Sequence, residues 1–207
     1  VVGGSTARFA LTAEYAREIA GQLKDLAQQC GGKIFAVTSP RTGHTVSQVL
    51  DTALTPEHHV HQWQPNQSDN PYFAYLAGAD VIIVTGESES MLAEAASLGK
   101  PVYIIPLPEN PPTWKIRLSE AIVERAQSRP LNKRGTVRPQ QGLERLCAQL
   151  IRSGLIQPRR DLSLLHDLLI KQGIARPFGE PIENGKRPAL REIERVARKT
   201  KEVLGIF

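Results

Sequence analysis

The chain has 207 residues, 41% of them hydrophobic and 23% charged, the balance of an ordinary globular protein. No apolar run approaches the roughly 18 residues that a bilayer-crossing helix needs, and no signal peptide is visible. The net charge of +5 comes with only 5% aromatic residues, which argues against the stacking platforms that hold single-stranded nucleic acid.

Val1–Val2 reads as the tail of a strand that begins before the first residue, so a longer protein is expected. "GGSTARFAL" is a loop, and Thr12 is placed to cap a helix over residues 13–29, with Tyr15, Ile19, Leu23 and Leu26 at helical spacing. Gly31–Gly32 stops that helix. "KIFAVTS" is a β-branched strand, "PRTGH" a loop, Thr45–Leu54 a short helix and "HHVHQW" a weaker strand. After the turn cluster "QPNQSDNP" come a helix over Asn70–Ala79, the apolar strand "DVIIVTG", a helix over Ser90–Leu98 and the strand "PVYIIP". Strands spaced by helices predict an α/β, Rossmann-like parallel sheet with helices on both faces.

The texture changes after Pro106. "PLPENPPT" is a break, and helices are expected over Trp114–Gln127, Leu143–Ser153, Leu162–Gln172 and Pro188–Leu204. The last of these carries Leu190, Ile193, Val196, Ala197 and Leu204 on one side, as a docking helix does. The expected division is a Rossmann-like domain over residues 1–110 and a helical extension over 111–207. Between Lys115 and Arg160 there are eleven Lys or Arg against three acids. That segment, with its polar loop "SRPLNKRGTVRPQQG", is either a solvated basic surface or a face for phosphates, nucleic acid or an anionic membrane. Cys30 and Cys147 match no metal spacing and read as free thiols of a reducing compartment. His59 and His61 share one strand face and His58 lies on the other, with no cysteine or carboxylate completing a ligand set, so no metal site is expected.

Ligands of such sheets bind at the carboxyl ends of strands, near the point where the strand order reverses. Three loops lie at such ends. Gly3 and Gly4 either make a tight turn or bring backbone N–H groups to a phosphate. Arg41, beside Ser39 and Thr42, is either a surface arginine or a planar partner for a pyrophosphate. "TGESES" offers the hydroxyls of Thr85, Ser88 and Ser90 at the start of a helix. Glu87 and Glu89 can accept from sugar hydroxyls, act as bases, or favour the helix dipole as first-turn acids. For each glutamate a helix-stabilising or solvated role is the ordinary one. Glu94 shares a helix face with Ser90.

"GADVIIVTGESESMLAEAASLGKPVYIIPL" resembles the nucleotide-binding half of GT-B glycosyltransferases. More closely, it resembles a bacterial member of the mitochondrial fission ELM1-like family, whose bacterial members are described as glycosyltransferases or nucleoside-diphosphate-sugar enzymes. "VVGGSTARF", "TSPRTG", "DNPYFAYLAGAD" and "HDLLIKQGIARPFGE" follow the same order along most of the chain. The resemblance implies that an N-terminal GT-B domain is missing and that this half holds a nucleoside-diphosphate sugar, a donor substrate rather than a cofactor. It implies Gly3, Gly4 and Ser5 at the diphosphate, with Arg41 as a further phosphate partner. The turn Ser88, Glu89, Ser90 would lie at the phosphates or sugar, Glu94 at the ribose hydroxyls, and backbone near Trp63 and Gln64 at the base. No metal and no named catalytic residue come with it. The glutamate pair of many retaining GT-B enzymes is one residue further apart than Glu87 and Glu94, and the position that spacing demands is Gly86, so a retaining outcome is not implied.

Two functions follow as expectations. One is sugar transfer in the cytoplasm, or peripherally at the inner face of a membrane, to an acceptor such as a lipid-linked or cell-envelope glycan. The other is a non-enzymatic adaptor with a GT-B-like fold, related to the fission protein that recruits a dynamin-related partner to a membrane. Neither calls for nucleic acid.

Overall fold

The computed structural model describes residues 1–127, 135, 139–157, 161–183 and 185–204, with all their side chains except those of Glu192, Ile193, Ala197, Val203 and Leu204. Most of the basic loop expected at 128–142 lies outside the described residues, as do the side chains of Ile193, Ala197 and Leu204 on the expected docking face.

The chain falls into two compact units, Val1–Asn110 with Leu162–Phe207, and Pro111–Asp161. The sequence reading assigned residues 162–207 to the extension. Their packing follows from a strand that the sequence reading missed: β5 (Ala175–Pro177) adds to the sheet of the first unit. Only three residues long and ending in proline, it lacks the alternation that reveals a strand. Proline lacks a ladder donor, and an edge strand tolerates that.

The first unit is Rossmann-like. β1 (Phe35–Val37) pairs in parallel with β2 (His59–His61), and β3 (Ile82–Thr85) with β4 (Val102–Ile105), which pairs with β5. Val1–Val2 joins the two sets. Val2 bridges Thr38 in parallel, Val1 N donates to Ile83 O at 2.7 Å, and Thr85 N donates to Val1 O at 3.2 Å. The spatial order is therefore β2, β1, Val1–Val2, β3, β4, β5. It reverses direction between Val1–Val2 and β3, which is where a sheet of this kind opens a ligand crevice.

Alternation along the strands supplies both faces. Ile83 and Ile105 face a core built with α1 (Ala13–Cys30) and α2 (His44–Leu54), which contribute Ile19, Leu23, Leu50 and Leu54. Ile82, Val84, Val102 and Ile104 face a second core with α3 (Tyr72–Gly78), α4 (Glu89–Ser97) and α7 (Leu162–Lys171), including Leu76, Leu92 and Leu169. α1 starts where Thr12 Oγ1 accepts from Tyr15 N at 3.2 Å, and stops at Gly31, whose φ of 62° is the left-handed conformation that glycine allows. α8 (Glu192–Leu204) is introduced by a docked segment. Leu190 packs on the second core and its N–H donates to Ala96 O at 2.9 Å, whereas Val196 is exposed.

The second unit pairs α5 (Trp114–Gln127) with α6 (Leu143–Arg152). Gln140 Nε2 donates to Ala126 O between them. Trp114, Leu118, Leu143, Leu146 and Leu155 stay exposed. Among the described residues no helix is long and apolar enough to cross a membrane.

Candidate functional site at the strand-order reversal

Three loops meet where the order reverses. Gly3 N donates to Thr85 Oγ1 at 2.8 Å, and Gly4 N donates to Glu87 Oε1 at 2.9 Å. Thr42 ties in the loop after β1: its hydroxyl donates toward the carbonyls of Val2 (3.1 Å) and Gly3, and its oxygen accepts from Ser39 N at 2.9 Å. A Cβ on Gly4 would stand 1.9 Å from Arg41 O, so this position needs glycine because two backbones touch. A Cβ on Gly3 would stand 1.5 Å from Glu87 Oε1. The two glycines thus serve the close approach of the loops after Val1–Val2, β1 and β3.

Glu87 is the residue whose setting differs most from the sequence reading. It is neither solvated nor a first-turn helix acid. It precedes α4, its side chain has 0% exposure, and the Arg41 guanidinium stands 3.8 Å from Oε1. Its other oxygen, Oε2, is buried without a hydrogen-bond partner among the described residues. The signal in sequence was its place directly behind the buried Thr85–Gly86 pair at a strand's end, which the abundance of nearby acids concealed. Gly86 is held from the far side. Its carbonyl lies 2.7 Å from Nε2 of His166 on α7, and a Cβ there would meet the His166 ring at 2.8 Å.

The other expected residues are distributed around this centre. Ser5 is exposed, with its hydroxyl bonded to Leu11 N and O at 2.9 and 3.4 Å. Arg41 keeps 46% of its side chain in solvent. Ser88 is buried at the N-cap of α4, 3.2 Å from the exposed Ser90 hydroxyl, and caps no backbone N–H with its side chain. Glu89 is half-buried in the first turn of α4. Glu94, one turn on, accepts from the Tyr72 hydroxyl at 2.6 Å. Burial raises the Tyr72 phenol well above its usual value, and the Glu94 carboxylate raises it further by favouring the donor form. The backbone of Trp63 is engaged, its N–H donating to Thr38 Oγ1 at 2.9 Å.

Chemically, the crevice presents a half-exposed guanidinium, two neighbouring hydroxyls at a helix N-terminus and a carboxylate one turn along. These groups suit an anion flanked by hydroxyls. The glycine N–H groups are engaged with Thr85 and Glu87. His58 accepts from Ile34 N at 3.3 Å and His59 stacks on Phe35 with ring centroids 4.9 Å apart. No group of three or more His, Cys, Asp or Glu among the described residues is arranged to hold a metal ion.

The comparisons with known proteins point one way. The Arabidopsis thaliana protein "Mitochondrial fission protein ELM1" is 32% identical over 132 residues, which is 64% of this chain and 28% of the plant protein. "Uncharacterized protein RP120" of Rickettsia prowazekii (strain Madrid E) is 30% identical over 135 residues, 64% of this chain and 38% of that protein. The chain thus spans well under half the length of these curated relatives. No solved structure matches it. The family described as "Mitochondrial fission ELM1" matches residues 1–155, about three quarters of the 207, and the chain belongs to that family.

Proposed function

We propose that the chain is the nucleotide-binding half of a GT-B-type glycosyltransferase, which takes a nucleoside-diphosphate sugar in the crevice between Val1–Val2 and β3. The observation that supports this reading is the place of Arg41 in the loop after β1 and of Ser88, Ser90 and Glu94 on the turn and helix after β3, both following parallel strands. Arg41 would face the diphosphate. Ser88 and Ser90 would meet phosphate or sugar oxygens, with Glu89 beside them. Glu94 would accept from the ribose hydroxyls, its orientation fixed by Tyr72. The acceptor, and the base that activates it, would belong to another part of the protein, so no catalytic residue is assigned here.

The test is calorimetric titration with UDP-, GDP-, ADP- and CDP-sugars. One of them is expected to bind selectively, and Glu94→Ala is expected to weaken it about tenfold, the loss of a charged hydrogen bond. Absence of binding to all four, by wild type and by Glu87→Gln alike, removes the enzymatic reading.

The second reading is an adaptor that keeps the fold without sugar transfer. It is favoured by the internal engagement of the Gly3 and Gly4 N–H groups and by the fission role in the plant relative's name. Under it, the protein captures a dynamin-related partner and binds no nucleotide sugar.

A further inference from the structure

A carboxylate withdrawn from water needs partners for both oxygens. Glu87 Oε1 has the Gly4 N–H at 2.9 Å and the Arg41 guanidinium at 3.8 Å, but Oε2 is buried with none among the described residues. The burial is complete, and nothing in the hydrophobic packing calls for an acid there. What surrounds Glu87 is the equipment of an anion site: a backbone N–H in a Gly-Gly turn, a guanidinium, and the N-terminus of α4 two residues on. The absence of a side chain at Gly3 makes room for this carboxylate, since a Cβ there would overlap Oε1.

From this arrangement we propose that Glu87 is an internal stand-in for a ligand phosphate: it occupies the Gly4 N–H and Arg41, and a nucleoside diphosphate binds by displacing it. The proposal rests on the reading of the crevice as a diphosphate site and adds how that site is regulated. Two anions cannot share one N–H donor at hydrogen-bond distance without strong repulsion in a water-poor setting. A phosphate at Gly4 therefore requires the carboxylate to leave. Arg41 can follow the incoming phosphate because nearly half of its side chain is already in solvent. The unpartnered Oε2 weakens the hold on Glu87 and keeps the exchange accessible. The apparent affinity is lowered by the cost of moving the carboxylate, as for any ligand whose competent state is a minor one. Neutral sugars gain nothing from the exchange, so the device favours ligands with two phosphates in place over those without.

The experiment measures binding of UDP, GDP, ADP, CDP and inorganic pyrophosphate to wild type, Glu87→Gln and Glu87→Asp. Glu87→Gln preserves shape and still accepts from Gly4 N–H but carries no charge. At least one diphosphate is expected to bind it tenfold or more tightly than wild type, with Glu87→Asp close to wild type. Binding detected in Glu87→Gln alone also supports the proposal. Equal or weaker binding in Glu87→Gln, with wild type binding well, overturns the displacement and leaves the diphosphate site standing. No binding to any of the three proteins overturns both. Independently of how the variants fold, a structure of wild type with the bound diphosphate is expected to show a phosphate oxygen at Gly4 N–H and Glu87 turned away. Retention of the Gly4–Glu87 hydrogen bond in that complex overturns the proposal.

Discussion

At the scale of the residue, the Tyr72–Glu94 pair joins a helix before β3 to the helix after it through one short hydrogen bond of 2.6 Å. The folded chain raises the Tyr72 phenol, first by burial and then by Glu94. The sign of its effect on stability follows. Below the ordinary phenol value of about 10 both folded and unfolded chains hold the proton, and the contribution is complete. As pH rises past that value the unfolded chain ionises first, and stability is lost. Urea melts between pH 8 and 11 are expected to show this decline, and Tyr72→Phe to flatten it while costing about 1 kcal/mol at neutral pH. The part of the decline that survives the substitution is assigned to Tyr15, whose phenol burial also raises. An alkaline limb identical in wild type and variant contradicts the assignment.

At the scale of the element, α3 is a helix of seven residues that starts at Tyr72, whose N–H donates to Asn70 Oδ1 at 3.0 Å. Too short to be stable alone, it is held at its other end. Lys100, just before β4, donates from Nζ to the carbonyls of Leu76, Ala77 and Ala79 at 3.2, 2.5 and 2.6 Å. A cation on the last carbonyls of a helix meets unsatisfied acceptors and the negative end of the dipole together. Lys100→Met keeps the stem and removes the charge. It is expected to cost about 1–2 kcal/mol and to speed amide exchange over residues 75–79 before any global opening. Protection unchanged in that helix shows that packing of Leu76 alone suffices.

At the scale of the whole molecule, the basic excess falls in a compact unit that also exposes five large apolar side chains. Pro111–Asp161 exposes Trp114, Leu118, Leu143, Leu146 and Leu155 and contains all eleven basic residues of the Lys115–Arg160 stretch. Such a combination suits an anionic lipid surface, with basic groups drawn to the headgroups and apolar ones inserted among them. Flotation with vesicles containing phosphatidylserine is expected to carry the protein at low salt and to release it as salt shortens the electrostatic range. Vesicles of neutral lipid are expected to leave it behind. Association with neither, or equal association with both at all salt concentrations, removes the membrane proposal. The adaptor and transferase readings both accommodate a lipid surface, so this measurement bears on location and not on chemistry.

Much of the fold was legible in the sequence because parallel strands buried on both faces announce themselves. "VIIV" and "VYII" are continuous apolar runs, and α1 carries its own start and stop in Thr12 and Gly31. β5 was not legible, since three residues ending in Pro177 become a strand only by pairing with Val102–Ile104. The same division applies to the site. That Gly3, Gly4, Arg41 and the TGESES turn lie at strand ends follows from local order along the chain. That Gly4 receives Glu87, that Arg41 stands beside the same carboxylate, and that Tyr72 takes up Glu94 depends on residues 22 to 83 positions apart. No local pattern encodes those distances, because a carboxylate beside a helix start looks the same in sequence whether it faces water or a buried N–H. Sequence determined which groups were available at the sheet's edge, and only tertiary packing decided which of them was already taken.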